Sequence, residues 1–125
     1  MKRHEAREKA MQTLFQLDNT EMSPQEAMRH IVGEETDPFY EQLVNGTFEN
    51  RAEIDGSLRS KLENWTLDRL PKVERTVLRM AVYELQYMEG TPAKVVLNEA
   101  IELCKTFGDE TSGRFVNGVL SKYSE

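Results

Sequence analysis

The stretch opened by Pro71 constrains the fold most. From Val73 to Met88, apolar residues stand at positions 73, 77, 78, 80, 81, 82, 85 and 88. At 100° per residue they cover most of a helix's circumference instead of a single stripe. A helix that is apolar nearly all round has to be enclosed on several sides. Pro71 is well placed to open it, because a helix's first turn does not need the missing N–H. The rest of the chain must therefore supply helices, or a sheet, to wrap a central rod.

The remaining segments answer with helical spacing. Glu5 to about Asp18 predicts a first helix, with Ala6, Ala10, Leu14 and Leu17 in line and Met11 and Phe15 beside them. Ser23-Pro24-Gln25-Glu26 is a complete helix start, with a capping Ser, a Pro at the first helical position and a Glu three residues beyond the cap. That second helix turns Ala27, Met28, Ile31 and Val32 inward and ends at Gly33. Asp37-Pro38 repeats the same start and gives a third buried face from Phe39, Tyr40, Leu43, Val44, Thr47 and Phe48. Ile54, Leu58, Leu62 and Trp65 continue the helical period, either as a fourth helix or as an extension of the third. After Gly90 and Thr91-Pro92, Leu97, Ala100, Ile101 and Cys104 have the i, i+3, i+4, i+7 spacing of a helix that stops at Gly108. Asp109, Thr111 and Ser112 can each cap a last helix, whose stripe is Phe115, Val116, Val119, Leu120 and Tyr123. No strand alternation competes, so the expected fold is all-α with six or seven helices, and 125 residues suit a single domain.

Composition narrows function mainly by exclusion. The single cysteine, Cys104, sits on a core stripe and permits no intrachain disulfide, which fits a reducing compartment. No stretch approaches the roughly 20 apolar residues of a membrane span, and no signal-peptide core follows Met1-Lys2-Arg3. The chain therefore reads as cytoplasmic. His4, His30 and Cys104 share no ligand spacing, so neither a metal nor another cofactor is expected, and nucleophile and phosphate-loop motifs are missing. Nothing points to an enzyme. Asn45-Gly46-Thr47 fits a glycosylation pattern, but such short matches recur by chance.

Charge is uneven along the chain. The net charge is −6, yet residues 1 to 9 hold four cations against two acids, while the rest holds twelve against twenty. Cations at a helix N-terminus oppose the macrodipole, so Lys2, Arg3 and Arg7 are poorly placed for helix stability. They could form a solvated arm or an arm that meets phosphates. Arg114 beside Phe115 places a cation next to a flat ring, the pair that single-stranded RNA needs for its phosphates and splayed bases. Packing alone favours a buried Phe115, since it also fits the core stripe. Lys105 and Arg79 are equally open to a solubilising role.

Three blocks resemble one family. The run V-x-L-N-E-A-I-E-L-x-K-x-F-G-x-E-x-S-x-R-F-V-N-G-V-L from Val95 to Leu120 carries most of the likeness. Leu70-x-x-Val73-Glu74-Arg75-x-Val77-Leu78-Arg79-x-Ala81-x-Tyr83-Glu84-Leu85 and the N-terminal Arg3, Ala6-Arg7-Glu8, Ala10 and Leu14-Phe15 add to it. Together they resemble the bacterial transcription antitermination factor NusB family. The resemblance implies two small helical bundles packed together. It implies binding of the boxA element of ribosomal RNA operon transcripts, as single-stranded RNA, together with the small-subunit ribosomal protein NusE. Other Nus factors and RNA polymerase would be further partners, a homodimer is possible, and the outcome would be read-through of terminators. Carried over by position, Lys2, Arg3 and Arg7 would contact phosphates, Arg79, Lys105, Arg114 and Phe115 would line the RNA path with Phe115 stacking, and Phe15, Glu74 and Asp68 would face the ribosomal protein.

Two departures stand out: His4 and Glu5 interrupt the basic run, and Thr111 stands where some members have an acid. The first implies fewer phosphate contacts and weaker RNA binding without the partner. Two alternatives remain beside antitermination. One is an acidic helical module that binds a basic protein without its own RNA specificity. The other is the NusB-like domain related to ribosomal RNA cytosine methyltransferases, for which 125 residues leave no room for the catalytic domain.

Overall fold

The structure is a computed structural model and describes residues 1–123. Among the described residues it contains seven α-helices, one 3-10 turn and no strand. In chain order these are α1 (Arg3–Leu17), α2 (Pro24–Val32), α3 (Pro38–Glu49), α4 (Arg51–Lys61), the turn Leu67–Arg69, α5 (Lys72–Tyr87), α6 (Ala93–Phe107) and α7 (Glu110–Ser121). Helices α1, α2 and α3 pack together as one small bundle, and α4 to α7 form the second. As its sequence demands, α5 is enclosed, packing against α1, α3, α4, α6 and α7. Val77, Leu78 and Val82 are fully buried, each worth roughly 1.5–3 kcal/mol of apolar transfer.

The helix starts form as their residues dictate. Ser23 Oγ accepts the Glu26 N–H at 3.2 Å, and Asp37 Oδ1 accepts the Tyr40 N–H at 2.9 Å. Asp109, one of three competent caps, is the one used on α7, accepting the Ser112 N–H at 2.8 Å. The third and fourth helices are separate, divided at Asn50, whose N–H and side chain both bond back to the Gly46 carbonyl. Cys104 is fully buried, as its spacing predicts.

Three expectations need correction. The first helix begins at Arg3 and so takes in part of the basic arm. The face of α6 that is most buried is Val96, Ala100, Leu103 and Cys104, with Leu97 and Ile101 only partly covered. The stripe is rotated because α5 and α7 cover α6 from two sides. Trp65 is not a core residue of a fourth helix. That helix stops at Lys61, Asn64 adopts a left-handed φ of 63°, and Trp65 emerges 56% exposed.

The bundles meet closely where α3 crosses α5. A Cβ added at Gly46 would lie 2.1 Å from the Tyr83 ring, so only glycine allows this approach. Gly56, on the exposed side of α4, has nothing within 4 Å of such a Cβ. The two glycines should respond to alanine with opposite signs. Gly46→Ala should lower unfolding stability in urea by about 1–3 kcal/mol through overpacking, whereas Gly56→Ala should raise it by about 0.5–1 kcal/mol through helix propensity.

Candidate nucleic-acid and partner interface

The corner between α6 and α7 forms the principal site. Gly108 ends α6 with its N–H on the Cys104 carbonyl at 2.7 Å, and a Cβ there would lie 3.0 Å from both that carbonyl and Ser112 Oγ. The chain therefore turns tightly and sets Ser112 against α5. Ser112 Oγ donates to buried Glu74 and lies 3.1 Å from Asp109 Oδ1. The Asp109 carboxyl is held below its usual range, chiefly by the Ser112 N–H.

Beside this polar hinge lies a surface cavity of about 560 Å³, walled by Trp65, Leu70, Pro71, Thr111, Arg114 and Phe115, with Glu74, Asp109 and Ser112 at its polar end. The Phe115 ring is half-buried and meets Trp65 edge-on, with centroids 5.4 Å apart and planes at 65°. Phe115 thus packs against the core on one side and lines an open cavity on the other. Arg114 is exposed, with Nη2 3.4 Å from Thr111 Oγ1.

The structure brings Arg114, Phe115 and Glu74 together and disperses the other sequence candidates. Lys2 is exposed at the start of α1, and Arg3 lies over the Phe39 ring at 4.1 Å. Lys105 is exposed on α6, 3.6 Å from Glu102. Arg79 lines a different cavity of about 460 Å³ between the two bundles, where it is paired with Asp55 at 2.7 Å and with Asp18 at 3.4 Å. Asp68 is exposed on the 3-10 turn, 3.6 Å from Arg59, and Lys72 lies over the Phe15 ring at 4.3 Å.

Arg7 corrects the expected phosphate arm. It is 4% exposed and makes a bidentate pair with Glu84 of α5, at 3.0 and 2.6 Å. Burial works against its charge, but the Glu84 hydrogen bonds and charge outweigh that and leave its pKa raised. A guanidinium committed in this way ties α1 to α5 instead of reaching solvent. Sequence reading also missed Trp65, because its spacing continued a helical period. The signal available was Asn64, a residue that tolerates the left-handed turn the chain makes there.

The fold and site define a class: all-helical proteins of two small bundles with a cation-and-aromatic corner on the surface. The model of the NusB family matches residues 4–125. The transcription antitermination protein NusB of Lysinibacillus sphaericus is 67% identical over 125 residues, covering 100% of this chain and 98% of that protein. The Bacillus subtilis protein of the same name is 52% identical, covering 97% and 93%. Among solved structures, T. maritima NusB aligns with a TM-score of 0.89 at 35% identity, covering 98% of this chain and 89% of that one. The antitermination factors NusB and NusE in complex with dsRNA align at 0.85 and 33% identity, covering 98% and 96%. The chain belongs to the NusB family.

Removing one half of a buried ion pair leaves the other charge uncompensated. Arg7→Ala and Glu84→Ala should each cost about 3–5 kcal/mol in urea unfolding, and an Arg7→Met/Glu84→Leu double variant should recover most of it. An exposed phosphate-binding Arg7 would instead leave Glu84→Ala and Arg7→Ala near wild-type stability. Burial pushes the Cys104 thiol up to about 12, so a disulfide reagent at pH 8 should react only as fast as the chain unfolds.

Proposed function

We propose that this chain is a transcription antitermination factor that binds boxA-type RNA together with the ribosomal protein NusE, acting by binding and not by catalysis. The observation that carries the reading is the corner itself, with a surface cation, a half-exposed ring and an open cavity held rigidly by Ser112 in a chain of this family. Arg114 and Lys105 on the second bundle, with Lys2 and Arg3 at the start of α1, would take phosphates while the cavity takes a base. Residues 1–125 would act as one RNA-binding domain. The place of action would be the bacterial cytoplasm, where transcripts are made; among the described residues no helix is long and apolar enough to cross a membrane.

The NusE-facing surface would be the N-terminal end of α5 and the turn before it. Asp68 is exposed there, Phe15 and Lys72 stack beside it, and Arg75 fastens the turn by donating to the Leu70 carbonyl at 3.0 Å. Glu74 would act there indirectly, since its carboxylate is spent on Ser112. Other Nus factors and RNA polymerase would join through the assembled complex.

Fluorescence anisotropy with a labelled boxA RNA, a scrambled RNA and a duplex control, with and without NusE, tests the reading. Single-stranded boxA should bind most tightly, and more so with NusE. Equal affinity for boxA and scrambled RNA would reject sequence-directed binding and leave a protein-interaction module. With the four cations Lys2, Arg3, Lys105 and Arg114 on phosphates, log K should fall with log salt at a slope of about −3. Asp68→Lys should weaken the effect of NusE while leaving the RNA affinity of the chain alone unchanged.

A further inference from the structure

Trp65 is the largest apolar side chain left in solvent, at 56% exposure, and it lies far from any core role. Its placement is built, not incidental. α4 ends at Lys61, Asn64 reverses the backbone with φ at 63°, and Leu67, which opens the next turn, and Leu70, which follows it, are buried at 1% and 3% exposure. Arg75 then holds the carbonyls of Leu70 and, at 3.4 Å, of Asp68. The segment is thus pinned below Trp65 while the indole stands over the cavity against Phe115.

The two rings meet at 65°, forming a corner and not a closed stack, so a third flat group can lie along the indole. The polar end of the cavity is anionic, with Glu74 and Asp109. A phosphate is repelled there, whereas a nucleobase is neutral and presents N–H donors. Arg114, on the same cavity wall and exposed, is left to meet the phosphate outside. We infer that the Trp65–Phe115 corner is a single-nucleobase subsite in which Trp65 is the main stacking group. This rests on the RNA-binding reading above and assigns the base contact to a residue outside the NusB-like motifs noted in the sequence.

The chain has one tryptophan, so indole emission, excited selectively over the tyrosines, reports this site alone. In a titration of the full chain with single-stranded boxA RNA, without NusE, the indole emission should be quenched in parallel with the anisotropy change. Inorganic polyphosphate, which offers charge without bases, should bind the cations with little quenching. By anisotropy, Trp65→Ala should weaken RNA binding about tenfold or more, with Trp65→Phe intermediate. The salt slope should stay unchanged, because no phosphate contact is lost. Thermal melting of both variants should stay near wild type, given the exposure of the side chain.

RNA binding with unquenched emission and wild-type affinity in Trp65→Ala would overturn the subsite while leaving the RNA-binding reading intact. No RNA binding by the wild-type chain would instead reject that reading. Quenching by NusE alone, with none by RNA, would reassign Trp65 to the protein interface and overturn the inference.

Discussion

The structure depends on buried charge along α5 that neighbouring helices have to meet. Glu84 is paired with Arg7 of α1, Arg75 with Asp18 at the end of α1, Arg79 with Asp55 of α4, and Glu74 with Ser112 of α7. Apolar contacts on α5 tolerate sliding by a turn at modest cost, but a displaced partner here would strand a charge in the interior. Ion pairs of this kind add little net stability over an apolar core. Their effect is to fix how each helix is registered against the central one.

That registration is what creates the surface site. Glu74 is sequestered inside, and its contact with Ser112 fixes the first turn of α7, which aims Arg114 outward and Phe115 toward Trp65. At the next residue of α5, Arg75 holds both Asp18 and the carbonyls of the turn that carries Asp68. The same helix therefore sets the proposed RNA-facing corner and the proposed protein-facing turn as neighbours. Joint binding of RNA and a protein partner fits such an arrangement, since ordering one surface also orders the other.

The charge balance of the chain gains a structural meaning. An acidic chain is a poor general ligand for RNA, and several of its cations are neutralised internally, Arg7, Arg75 and Arg79 among them. The cations left on the surface stand among a larger number of acids, so in the proposed RNA-binding role base contacts and a partner would have to supply much of the affinity.

Much of this was legible from residues alone. Helical periodicity, the caps at Ser23 and Asp37 and the circumferential apolarity of α5 are local properties, because a helix expresses its own sequence in its own backbone. The motif around Arg114-Phe115 likewise marked the corner. What the sequence could not decide was the partner of each charged or aromatic side chain. Arg7 and Lys2 look alike in a basic N-terminal run, yet Arg7 lies opposite Glu84, 77 residues away, and is buried. Trp65 continues a helical spacing, but the helix stops before reaching it. Pairings over such separations are set by how helices pack, and packing is a property of the whole chain, so only the tertiary structure separates the arginine that holds the fold from the ring that faces solvent.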